Sequence, residues 1–177
     1  MKSVMISIRP KWCELIASGK KTIEVRKTKP QALPPFKCYI CQTKARWAYA
    51  LLRRLALDDL ADWLARGAGK IIGEFVCDWC DPFKPCHADF AELSLGSLVT
   101  PSGLYEYAKG KTLYGWHISD LKRYAEPKEI SEFKRWNRTE QTAPCAHVYA
   151  LYSPCESCEE CNLKRAPQSW CYVEETE

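Results

Sequence analysis

The chain has 177 residues, 46% of them hydrophobic and 27% charged, which is enough to bury a sizeable core and excludes a disordered or collagen-like chain. No stretch approaches the ~20 apolar residues a bilayer span requires, and the start MKSVMISIRP lacks the apolar run of a secretory leader, so a cytoplasmic protein of one domain, residues 1–177, is expected. The net charge of +4 hides an asymmetry: residues 1–54 carry thirteen Lys/Arg against Glu14 and Glu24, whereas residues 55–177 carry thirteen against twenty acids. Such a basic first third either meets an anionic ligand such as a phosphate backbone or answers the acidic remainder of the same molecule.

In chain order, residues 4–8 read as a short strand. Pro10 stands where a helix can start without losing a hydrogen bond, Trp12, Leu15 and Ile16 form an apolar stripe, and Gly19 suits a left-handed end, which predicts a helix over residues 10–18. Residues 21–27, KTIEVRK, alternate strictly and predict a strand. Pro30, Pro34 and Pro35 mark a loop before another strand, KCYICQT, over residues 37–43. From 44 to 66, Trp47, Leu51, Leu52, Leu55, Leu60, Trp63 and Leu64 recur at helical spacing, so a helical insertion is expected, able to contact a protein partner. Residues 70–79 read as a β run followed by a Pro- and Cys-rich turn, 101–108 as a helix opened by Thr100, and 111–124 as one long strand. Residues 127–168 show no clear period, and SWCYV at 169–173 resumes a strand. Short strands with helices between them favour an α+β, barrel-like sheet over a βαβ array.

Along the strand at 21–27, Ile23 and Val25 point one way and Thr22, Glu24 and Arg26 the other, so one face is apolar and the other ionic. On an open surface this means little. Lining a cavity, Arg26 would offer its planar fork to a phosphate or base edge and Glu24 would accept from an exocyclic amine.

The segment GKKTIEVR, residues 19–26, reproduces the G-x-K-x-x-E-x-R pattern and resembles ASCH domains, the activating-signal-cointegrator homology group within the PUA-like superfamily. SIRPKWCELIASGKKTIEVRK resembles the strand, helix, glycine and strand that open ASCH proteins, and KIIGEFVCD, LYGWHISDLKRY and PQSWCYVEE resemble later strands of small ASCH proteins from bacteria and their phages. The resemblance implies a PUA-like mixed β-barrel with peripheral helices and a cleft beside the motif strand. It leaves two insertions unexplained, the helical one and a Cys-rich one at about 135–165. It also implies that the cleft binds RNA or a modified nucleotide, with Gly19 as turn glycine and Lys21, Glu24 and Arg26 as cleft residues. Arg9, and Trp116 and His117 in LYGWHIS, join them as ligand contacts, the indole by stacking a base unless it is core.

Some relatives are amidohydrolases of acetylated cytidine, or ribonucleases. That hydrolase alternative would use Lys21 with Glu24 or Thr22: Lys21, near other cations and partly desolvated, as a base or oxyanion stabiliser, and Glu24 as a proton shuttle. The amidohydrolase branch has a threonine where this chain has Glu24, which separates the two. Since adjacent strand residues face opposite ways, Lys21 joins Glu24 only if it sits at a bent start of the strand.

Eleven cysteines without an export signal point to reduced thiols and metal ligation. Cys155, Cys158 and Cys161 form C-x2-C-x2-C, with Cys145 favoured and Cys171 the alternative as fourth ligand of a structural zinc site; the same spacing suits an iron–sulfur cluster. Cys77, Cys80, Cys86 and His87 are a weaker second set, whereas Cys38 and Cys41 should face opposite sides of their strand.

Overall fold

The run SVMISI of β1 (Ser3–Ile8) is buried at every position, as expected of a strand with packed layers on both faces. It pairs in parallel with β3 (Phe36–Gln42), and the crossover between them holds α1 (Pro10–Ala17) and β2 (Ile23–Arg26). The computed structural model describes residues 3–44, 54, 62, 65–135 and 162–175. β4 (Ile71–Cys77) and β7 (Ser119–Lys128) extend one side of β3, while β9 (Trp170–Glu175) and β8 (Phe133–Arg135) extend the far side of β1, giving six strands in the order β7-β4-β3-β1-β9-β8. β2, β6 (Leu113–His117) and β5 (Cys80–Phe83) make a second sheet, in the order β2-β6-β5. The described strands thus form a mixed α+β structure of two sheets rather than one closed barrel.

Three apolar clusters follow from this layering. Val4, Ile6, Ile8, Cys38, Ile40 and Phe75 of the large sheet meet Cys13 and Ile16 of α1 and Trp116 of β6. The opposite face of the large sheet packs Met5, Tyr39 and Cys41 on Ile130 and Phe133. Cys38 and Cys41 therefore face opposite sides, as alternation requires. The third cluster joins Val25 and Leu113 of the small sheet to Phe90 and Leu93 of α2 (His87–Ser97) and Leu104 and Ala108 of α3 (Pro101–Ala108).

The expected strand at 111–124 is two strands. His117 N–H donates to Trp79 O and Ile118 N–H to Thr22 O, both within the small sheet's neighbourhood, and Ser119 then pairs with Val76 of the large one. A change of partner sheet leaves no mark on hydrophobic period. Helix α2, just beyond the expected turn, is not marked in the sequence: only Phe90, Leu93 and Ser97 of its residues are buried, too sparse a stripe to read as amphipathic. Residues 127–135, expected to lack regular structure, finish β7, form a 3-10 turn at Ile130–Glu132 and enter β8. Of the helical insertion only residues 54, 62, 65 and 66 fall among the described positions from 54 to 66, all helical; the rest, like Cys145, Cys155, Cys158 and Cys161, lies outside the described residues.

α3 is capped as its sequence requires: Thr100 Oγ1 accepts from Gly103 N–H at 3.2 Å, and Pro101 fills the first turn. Thr100→Ala should lower unfolding free energy by about 1 kcal/mol in urea titration, with Thr100→Ser close to wild type. Among the described residues no helix is long and apolar enough to cross a membrane.

Candidate functional site

α1 ends at a Ser18 cap followed by Gly19 at φ +73°, a left-handed conformation that glycine adopts without a Cβ clash. The chain turns so sharply that β2 pairs only from Ile23; Lys21 N–H donates to Leu15 O and Thr22 N–H to Gly96 O, both 2.9 Å. Gly96 permits this approach, since a Cβ there would meet Ile23 Cδ1 at 2.6 Å. Lys21 thus lies at a bent start, outside the alternation, and its side chain turns inward with only 2% exposed.

Within β2, cross-strand register sets Glu24 beside Trp116 and Arg26 beside Tyr114, whereas Ile23 and Val25 pair with His117 and Gly115. The Glu24 and Arg26 side faces the large sheet, and Val25 faces α2 and α3. Glu24 Oε1 stands 3.0 Å from Arg26 Nη2 and its Oε2 stands 3.4 Å from Lys21 Nζ. Lys21 Nζ also donates to Ile23 O and Ser97 O, both at 2.8 Å. All three ammonium hydrogens are engaged. Arg26 Nη2 additionally donates to Ser7 O of β1, while its buried Nε has no hydrogen-bond partner among the described residues.

These charges form one wall of a cavity of about 380 Å³, inside the range of about 300–1,000 Å³ usual for small-molecule sites. Trp12 of α1 and Tyr107 of α3 contribute aromatic surface to it, Val99 and Leu104 apolar surface, and Arg9 a solvent-exposed cation. Burial pushes the Lys21 pKa below its ordinary value, with Glu24 opposing the shift. Burial likewise raises the Tyr107 phenol, while the Arg26 guanidinium pulls it down. Lys21 Nζ lies 5.0 Å from the centre of the Trp12 ring, close enough for the ring face to attract the cation.

Of the expected site residues, Arg9, Lys21, Glu24 and Arg26 line this one cavity. Thr22 does not: it is exposed beside Gly96, outside the cavity wall. Trp116 is fully buried in the core, edge-to-face with Phe36 at 5.8 Å and against Trp170 at 6.0 Å, and has no free face to stack a base. His117, next along the strand, faces the other way; its Nδ1 bonds Asp78 Oδ1 and its ring stacks on Trp79 at 5.0 Å, away from the cavity. The aromatic wall residues that are present, Trp12 and Tyr107, carry no distinguishing motif. Trp12 reads as part of α1's apolar stripe, and Tyr107 sits three residues after the buried Leu104 on a half-exposed helix.

The weaker thiol set does not assemble either. Among the described residues no three His, Cys, Asp or Glu side chains converge as metal ligands, and Cys77 Sγ donates instead to Trp79 O at 3.2 Å. Cys171, in β9, is half-buried beside Met5, and burial raises its thiol pKa.

A model of the ASCH domain family matches residues 6–168. The chain belongs to the ASCH family. Among solved structures, the ASCH protein of Zymomonas mobilis superposes on this ASCH domain with a TM-score of 0.53 at 15% identity, covering 97% of this chain and 87% of that one. Two point variants of that protein give the same score, one at 15% identity over 98% of this chain and 91% of its own, the other at 16% over 72% and 73%. At such identity the likeness is one of fold. Among curated proteins no sequence matches this ASCH domain.

Proposed function

We propose that this ASCH domain binds RNA or a modified nucleotide in the cavity between α1, α3 and β2. The family is usually linked to RNA binding, and the observation that carries the reading here is that Glu24 and Arg26 point into a cavity of about 380 Å³ rather than into bulk solvent. Its aromatic and apolar walls suit the face of a base, and its cations suit the backbone that bears it.

Binding is favoured over turnover by the hydrogen bonding of Lys21. A general base must release its proton, but Lys21 Nζ faces two carbonyl oxygens and a carboxylate, all acceptors. A neutral amine there would turn its lone pair on one of them. Both Glu24 oxygens are likewise occupied by cations. The ionic group is thereby suited to hold charge in place. Fluorescence anisotropy with short single-stranded RNAs, repeated at rising salt, tests this: saturable binding that weakens linearly in log salt and leaves the RNA intact is expected. Release of product from RNA or acetylated cytidine, lost in Lys21→Ala, would instead establish the hydrolase.

We further propose that Cys155, Cys158 and Cys161, closed by Cys145, bind one structural zinc ion. The support is the C-x2-C-x2-C spacing and the lack of an apolar stripe to order that segment otherwise, for which zinc would supply on the order of 10 kcal/mol. Elemental analysis should give about one zinc per chain, lost on Cys158→Ser; a brown protein containing iron would assign the iron–sulfur cluster.

A further inference from the structure

Holding a nucleotide and telling one base from another place different demands on a cavity wall. Lys21 has all three hydrogens engaged, and both Glu24 oxygens face cations, so the ionic group supplies a fixed charge but few open donors or acceptors. Distinguishing bases takes hydrogen bonds to their edges from a side chain that the ligand can reach. Gln168 meets that requirement. It lines the same cavity and is exposed, and among the described residues its amide has no hydrogen-bond partner.

The main chain around it is held in place. Ser7 Oγ–H donates to Pro167 O at 2.6 Å and Ser7 N–H to Ser169 O at 2.9 Å, so the residues on either side of Gln168 are both tied to one residue of β1. Ser7 is itself part of the cavity wall, and its carbonyl accepts from Arg26 Nη2. The same strand thus anchors the motif arginine and the backbone that carries Gln168. A recognition group on so fixed a support loses little conformational freedom when it binds. Its amide sets an acceptor beside a donor in one plane, the arrangement that meets a base edge bearing a donor beside an acceptor.

We infer that Gln168 selects the base, through a two-point contact between its amide and the base edge. The inference rests on the nucleotide-binding reading above and deepens it: the motif residues hold the ligand by charge, and a residue from the segment entering β9 sets which base is accepted.

Calorimetric titration of the full-length protein with the four ribonucleoside 5′-monophosphates tests this, because each presents a single base and the phosphate is common to all. Wild type should favour one base over the weakest by about fivefold or more. Gln168→Ala should bring the four affinities to within about twofold of one another. Gln168→Glu, which keeps only acceptors, should raise the guanosine monophosphate relative to the other three, since guanine offers two adjacent donors on one edge. Both changes leave the main-chain links to Ser7 in place, so urea unfolding should match wild type, and relative rather than absolute affinity is the readout. Equal wild-type affinities, or a preference that both variants retain, would overturn the assignment and leave the nucleotide reading standing. Binding of a short single-stranded RNA with no binding of any monophosphate would overturn it too, while no binding of either would overturn both readings.

Discussion

Glu24→Gln is expected to lower the stability of the ASCH domain by about 3–5 kcal/mol, the usual result of removing one partner from a buried ionic group. The side chains of Glu24, Lys21 and Arg26 are 8%, 2% and 11% exposed. Glutamine keeps the shape and one acceptor oxygen but leaves two buried cations facing each other with no anion between them. Lys21 cannot swing out to water without abandoning Ile23 O and Ser97 O, the links that tie the start of β2 to the end of α2. Equilibrium unfolding in urea measures the loss, and a change under about 1 kcal/mol would mean that water already screens the group.

Arg26→Ala should behave in the opposite manner, weakening nucleotide or RNA binding by about 1–3 kcal/mol, roughly 5- to 150-fold, while the domain stays folded. Its removal leaves Lys21 and Glu24 as a neutral pair, so no uncompensated charge remains inside. The fold loses the bond from Nη2 to Ser7 O, but Ser7 keeps two other links, its Oγ–H donating to Pro167 O at 2.6 Å and its N–H to Ser169 O at 2.9 Å. The ligand loses the guanidinium entirely. Anisotropy titrations alongside urea unfolding read both effects, and unchanged affinity in a folded variant would remove Arg26 from the site.

Alternation alone separates the ionic from the apolar side of β2, because side-chain direction along a strand is local. It also opposes Trp116 and His117 sharing one cleft, since neighbours on β6 face opposite ways. Which of the two faces a cavity is not local: the large sheet closes over Trp116 with Phe36 and Trp170 and leaves the space beside Glu24 open. The inward turn of Lys21 depends on where β2 starts, and that is decided by acceptors from two other elements, Leu15 O and Gly96 O. No period in KKTIEVR contains this. Trp12 and Tyr107 become wall residues only because α1 and α3, ninety residues apart in the chain, border one cavity, and residues of two amphipathic helices carry no sign of what lies between them.

Arg26 Nε–H reports the central claim most directly. In a two-dimensional 1H–15N spectrum of the arginine side chains, with this signal assigned by its loss in Arg26→Lys, addition of a short single-stranded RNA should shift it progressively and saturably, in step with binding seen by anisotropy. An Arg26 signal that stays in place while RNA is fully bound and the exposed arginines move would locate the interface elsewhere on the protein.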